Sequence, residues 1–284
     1  MNQFPWPLAI RLEVLPGKTI LEKFLNAAHF GFDAVELPGR FLSEYHQELI
    51  ACKNDLPIPI SSISLGFRGS LLSMDQSDRS ICRQDIKNLL SLCADWGAVG
   101  LVMPPILFVD KHPRLTDPQP WSNLIQAQDA LLLSQLPELV DHAEAKGVLL
   151  LLEPVNRSET DYLTSMYHGA EVCGCINRAG LALTADWFHM NLEESNPTET
   201  LRRTARWIRH VHIGGDNRTE PRPGSFDNYS LFNILYEMKY QGFIVAECRS
   251  LSGPADQVLS QSSRYLRELF KKIAEESNAH GDFK

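Results

Sequence analysis

The sequence predicts a single-domain α/β protein, a (β/α)₈ TIM barrel over residues 1–276, with a polar tail at 277–284. Three features predict this fold. Short apolar runs alternate eight times with stretches whose apolar residues recur at helical spacing. Several apolar runs open at a glycine just after the preceding helix, as at Gly31, Gly147, Gly180 and Gly242, the order expected of parallel strands joined by crossovers. No Gly-x-Gly-x-x-Gly follows a strand, which removes the dinucleotide fingerprint of the rival doubly wound sheet.

Taken in order, Leu8 to Val14 alternates apolar and polar as a strand does. Thr19 to Phe30 carries Ile20, Leu21, Phe24, Leu25 and Ala28 on one helical face. Gly31 to Leu37 is the second strand, closed by Pro38-Gly39, and Ser43 to Lys53 the second helix. Strand three is Pro59 to Leu65, followed by a long amphipathic helix from Asp78 to Trp96. Strand four, Ala98 to Met103, stops at Pro104-Pro105. The Pro-containing loop beyond it is long enough to be functional, and a helix follows from about Asn123 to Lys146. Gly147 to Glu153 is strand five, with a helix from Leu163 to Asn177. Gly180 to Asp186 is strand six, with a helix from Thr198 to Trp207. Ile208 to Ile213 is strand seven, with a helix from Tyr229 to Lys239. Gly242 to Glu247 is strand eight, and Asp256 to Ala274 the closing helix.

Charge and composition narrow the function. A formal net charge of -8 opposes a nucleic-acid backbone or an anionic membrane as main partner, since both need a positive field. No apolar run reaches the roughly 20 residues that span a bilayer, and the N-terminus lacks the pattern of a signal peptide, so a cytoplasmic location is expected. The six cysteines have no paired spacing and read as reduced core thiols. Cys173-Gly-Cys175 has no second cluster to complete a zinc site.

In this architecture the carboxyl ends of the strands form the face that carries a site. Four successive strands end there in a polar residue: Glu153, Asp186, His212 and Glu247. A lone strand-end acid usually caps a helix or faces water. Four in consecutive strands form a mixed oxygen and nitrogen set suited to a divalent ion, Mn²⁺ before Mg²⁺, Co²⁺ or Zn²⁺. Such an ion could hold a substrate's carbonyl and hydroxyl oxygens and lower the energy of an enediolate. His189, three residues beyond Asp186, is expected in the loop that the strand opens into.

Glu153-Pro-Val-Asn-Arg-Ser-Glu159, Asp186-Trp-Phe-His-Met-Asn-Leu-Glu-Glu194, His212-Ile-Gly-Gly-Asp-Asn-Arg218 and Glu247 closely resemble motifs of the xylose isomerase-like TIM-barrel superfamily of sugar phosphate isomerases and epimerases. Within it the chain looks most like ketose 3-epimerases of the tagatose and psicose type. The resemblance implies that Glu153, Asp186, His212 and Glu247 ligate a metal. It implies that Glu153 and Glu247 exchange a proton at the carbon beside the substrate carbonyl, one removing it and the other returning it on the opposite face. His189 and Arg218 would bind substrate oxygens, and Glu159 would support the site by hydrogen bonding. It also implies a sugar or sugar-derived substrate, and barrels of this type often pair as homo-oligomers.

The sequence departs from that pattern after strand seven, where Gly215-Asp216 and the loop Thr219 to Asp227 replace an acidic, Gly-rich form. The resemblance therefore leaves the sugar open. Arg68 and Arg249 are placed to reach the mouth, where a guanidinium fork suits a carboxylate or phosphate. Glu36 and Glu13 also end or nearly end strands, and Glu36 is placed either to hold a distal hydroxyl or in a structural role. Rival functions are a sugar or inosose dehydratase sharing the same first proton removal, and a sugar-binding barrel without catalysis. The apurinic endonucleases of the superfamily need more histidines at strand ends than Glu36, Leu65 and Met103 offer.

Overall fold

The computed structural model describes residues 6–107 and 115–281. In it, eight parallel strands close into a barrel in sequence order. They are β1 (Leu8–Arg11), β2 (Ala34–Pro38), β3 (Ile60–Ser64), β4 (Gly100–Met103), β5 (Leu149–Leu152), β6 (Leu181–Asp186), β7 (Ile208–Ile213) and β8 (Ile244–Ala246). Closure is made by β1 against β8, with Leu8 opposite Ile244 and Ile10 opposite Ala246. Around the strands run α1 (Ile20–His29), α2 (Leu42–Cys52), α3 (Gln76–Trp96), α4 (Leu124–Leu133), α5 (Leu136–Lys146), α6 (Met166–Ile176), α7 (Trp187–Glu193), α8 (Pro197–Thr204), α9 (Asn228–Glu237) and α10 (Ala255–Gly281). Among the described residues no helix is long and apolar enough to cross a membrane.

The expected helix from Asn123 to Lys146 is two helices, because Pro137 has no N–H to give the preceding turn. The chain breaks at Ser134-Gln135 and restarts with Pro137 in the first turn of α5, where no such bond is needed. The closing helix runs to Gly281, past the expected Ala274. His189 lies in α7 and not in a loop: Asp186 Oδ1 accepts hydrogen bonds from the backbone N–H groups of Phe188 (2.7 Å) and His189 (3.3 Å), so the strand passes directly into a capped helix. That helix has seven residues, too few for the apolar period to show. Part of the long loop after β4 lies outside the described residues. All six cysteines are unpaired, and only Cys175 is exposed.

Alternation along each strand divides the interior in two. Residues such as Leu8, Ile10, Val35, Leu37, Leu150 and Leu152 join the helices in one large apolar cluster. Their neighbours line the barrel lumen. Ala9, Ala34 and Val245 pack together there, as do Val102, Leu151 and Ala182, each group separate from the main core. The next inward positions toward the carboxyl ends are polar and buried: Arg11, Glu36, Ser62, Thr184, Asp186, His210 and His212. The register sets Arg11 beside Glu36 and Asp186 beside His212.

Candidate active site

Glu153, one residue past β5, and Glu247, one residue past β8, converge with Asp186 and His212 at the carboxyl end of the lumen. One ligand atom from each of these four lies within 4.8 Å of the others. His212 Nδ1 is 2.7 Å from Glu153 Oε1 and 3.8 Å from Glu247 Oε2. Its other nitrogen, Nε2, is 3.0 Å from Glu36 Oε2. Above the cluster is a cavity of about 450 Å³ lined by Glu153, Glu247, His189, Arg218, Arg11 and Glu159, among others.

The residue types explain the electrostatics. Glu247 is clamped by two guanidinium groups, Arg11 Nη1 on Oε1 and Arg218 Nη2 on Oε2, each at 2.5 Å. Burial opposes its charge, but Arg218, His212 and Arg11 outweigh burial and hold the carboxyl below its usual range. Asp186 moves the other way, pushed up to about 7 by burial and then by Glu247. Burial likewise raises Glu153, with Glu247 and Asp186 adding repulsion against the pull of His212. Four buried carboxylates, Glu36, Glu153, Asp186 and Glu247, face two buried guanidiniums, Arg11 and Arg218. With these six ionised and His212 neutral, the forms in which they would ligate a metal, two negative charges are left over, the amount a divalent cation cancels. Asp186 Oδ2 is buried with no hydrogen-bond partner while its Oδ1 caps α7. An orphaned carboxylate oxygen among three further donors, in an oxygen-rich set with one imidazole, fits a divalent ion.

His189 is held by its first nitrogen. The backbone N–H and side-chain amide of Asn156 both approach Nδ1, at 3.1 and 2.8 Å, which leaves the proton on Nε2. Burial lowers the imidazole's pKa and keeps it neutral. Its Nε2–H faces Asp186 Oδ2 at 3.4 Å, while Arg218 Nη1, itself a donor, lies 3.0 Å away without a hydrogen bond to this tautomer. Arg218 has φ of 54°, a left-handed backbone uncommon outside glycine, and its guanidinium lies 4.7 Å over the Phe188 ring. Strain of this kind gathers at functional sites. Glu159 supports Arg218 at 3.5 Å and Asn156 at 3.3 Å while taking Arg249 Nη2 at 2.7 Å.

The structure therefore brings together Glu153, Asp186, His212, Glu247, His189, Arg218, Glu159 and Arg249. It does not bring in Arg68, which is 79% exposed and forks onto Asp85 at 2.8 and 2.9 Å beside a neighbouring hollow. Nor does Glu36 meet a substrate hydroxyl: it is fully buried beneath the cavity. The residue that sequence reasoning missed is Arg11. Its signal was present, an arginine closing an otherwise apolar strand, but a strand-end arginine more often reaches water. Asn156 was missed for a similar reason, since its role depends on where α7 places His189.

The sequence profile of the family described as Xylose isomerase-like TIM barrel matches residues 24–269. The chain is 26% identical over 253 residues to the 3-dehydro-D-guloside 4-epimerase of Escherichia coli K12, covering 88% of this chain and 95% of that protein. It is 28% identical over 257 residues to an L-ribulose 3-epimerase of Mesorhizobium japonicum, covering 88% of this chain and 82% of that one. The crystal structure of an E. coli 3-keto-D-glucoside 4-epimerase superposes with a TM-score of 0.77 at 23% identity, covering 95% of this chain and 99% of that one, a likeness of fold.

Proposed function

Since the chain belongs to the xylose isomerase-like TIM-barrel family, we propose that it is a divalent-metal-dependent epimerase or isomerase of an uncharged sugar. The reaction is proton transfer at the carbon beside a carbonyl. The relatives named above are sugar epimerases. The observation that carries the reading is that Glu153 and Glu247 line one cavity and reach one cluster with Asp186 and His212.

A cation held by Glu153, Asp186, His212 and Glu247 would polarise the substrate carbonyl and acidify the neighbouring C–H. Glu153 and Glu247 take the two faces of the resulting planar enediolate, one accepting the proton and the other returning one. The Nε2–H of His189 and the guanidinium of Arg218 donate to the carbonyl and its adjacent hydroxyl. Glu159 and Asn156 hold those two donors in place.

The substrate's lack of charge is supported by the arginines. Arg11, Arg40, Arg218 and Arg249 all line the cavity, and each is paired with a carboxylate: Glu247, Glu13, Glu247 and Glu159 respectively. At the buried pairs of Arg11 and Arg218 a phosphate or carboxylate would have to displace Glu247, whereas a hydroxyl adds to them. The test is a panel of free, glycosidic, phosphorylated and acidic keto sugars with Mn²⁺, followed by proton NMR in deuterated water. The expected result is deuterium at the carbon beside the carbonyl of an uncharged sugar, with the epimer or isomer formed and no water lost. Turnover confined to phosphorylated or acidic sugars would refute the uncharged substrate, and loss of water would replace the reaction by a dehydration.

A further inference from the structure

Beneath the four candidate ligands lies a second group of side chains that could hold a cation, Glu36, His210 and His212, of which the proposed reaction uses only His212. It shares His212 with the first. A neutral imidazole offers one lone pair, so His212 cannot serve a cation in both places, and the contacts decide between them. Glu36 Oε2 already accepts from Ser62 Oγ at 2.7 Å and sits 3.0 Å from His212 Nε2, with His210 Nε2 at 3.3 Å. The other face of the ring, Nδ1, points at Glu153 and Glu247.

We infer that Glu36 is a positioning residue. It takes the Nε2–H of His212, fixes the proton there, and turns the Nδ1 lone pair to the cation proposed above. Its charge also lies near the other side of the centre. Arg11 Nε is 3.8 Å from Glu36 Oε1, an ion pair without a hydrogen bond, while Arg11 Nη1 bonds Glu247. A carboxylate behind a ligating imidazole raises its basicity and locks its tautomer, and removing such a partner typically weakens metal binding roughly ten- to a hundredfold. Glu36 is fully buried and reaches neither cavity nor solvent, so its effect on a bound ion must pass through these neighbours.

The inference rests on the metal-site reading, and its test separates the two. Chelator-stripped protein is titrated with Zn²⁺ against a competing chromophoric chelator, for the parent, Glu36→Gln and Glu36→Met. If the parent binds no Zn²⁺, the metal site itself is lost. If the parent binds, we expect Glu36→Gln, which keeps an acceptor without the charge, to bind roughly tenfold more weakly, and Glu36→Met more weakly still. Two folded variants within twofold of the parent would overturn the inference. The unaltered protein gives a second measurement, independent of whether either variant folds. In long-range ¹H–¹⁵N spectra of the Zn²⁺-loaded parent, the His212 ring should carry its proton on Nε2. A proton on Nδ1 would overturn the proposed role.

Discussion

Replacing Asp186 by Asn should stabilise the cation-free protein while removing most of what a cation adds. Asn is nearly isosteric, and as a helix cap it equals Asp, so the Oδ1 contacts to the start of α7 survive. What changes is charge at a buried position. The folded-state pKa of Asp186 is raised from 3.8 to about 7. Between those values the folded chain keeps a proton that the unfolded chain has lost, so unfolding free energy falls as pH rises through the window. Below 3.8 both states are protonated and the cost is absent. Above about 7 it is complete, at roughly 4 kcal/mol. With about 2.1 cal/mol/K of unfolding entropy per residue, this corresponds in a 284-residue chain to a Tm difference of at most about 7 °C. Asn has no proton to lose and is free of the penalty.

The assay is thermal unfolding at one scan rate, in chelator, from pH 4 to 8, repeated with saturating Mn²⁺. In chelator the two proteins should unfold together near pH 4, and Asp186→Asn should unfold later as pH rises to 8. With Mn²⁺ that lead should shrink. The parent gains about 2.7 kcal/mol when the ion is at a hundred times its Kd, and the variant, short of one charged ligand, gains far less. Equal Tm values in chelator at pH 8, or equal gains from Mn²⁺, would refute the reasoning.

Three further outcomes follow from the same geometry. Glu153→Gln and Glu247→Gln should each keep the fold and reduce turnover by roughly 10²- to 10⁴-fold; undiminished exchange of the substrate's α-proton in either variant would remove it from proton transfer. Arg11→Met strips one guanidinium from buried Glu247 and should cost about 3–5 kcal/mol, read as an earlier denaturation midpoint; an unchanged midpoint would show that Arg218 alone compensates the charge. Gly66→Ala should prevent correct folding, because its φ is 103° and an added Cβ would lie 2.2 Å from the Gly39 carbonyl carbon, where the loops after β2 and β3 touch; soluble protein with parental Tm would contradict this packing.

The barrel and its four strand-end groups were legible because both are periodic properties. Alternation along a strand fixes which side chain faces the lumen, and the strand's end fixes its height, so Glu153, Asp186, His212 and Glu247 could be aligned without contacts. Properties set by a partner were not legible. Arg68 and Arg249 look alike in sequence, yet Asp85 holds one away from the cavity and Glu159 holds the other at its rim. Glu36 and Arg11 are neighbours only through the β1–β2 register. The short helix α7 was hidden because its cap is also a candidate ligand. Asp186 spends one oxygen on backbone and leaves the other for the site.

That division of labour explains how the fold tolerates its charge. A cluster of buried carboxylates would ordinarily be relieved by movement or by proton uptake. Here movement is blocked, since Asp186 is tied to α7, Glu247 to Arg11 and Arg218, and Glu153 to His212, which is itself braced by Glu36. Proton uptake is what remains, and the raised pKa of Asp186, Glu153 and His212 shows where protons would go. A divalent cation would compete with these protons for the same ligand atoms. Metal binding should therefore release protons and tighten as pH rises toward about 7, where Asp186 no longer holds its own. Calorimetric titration of Mn²⁺ in buffers of different ionisation enthalpy measures the released protons directly, and a binding enthalpy independent of the buffer would contradict this account of the site.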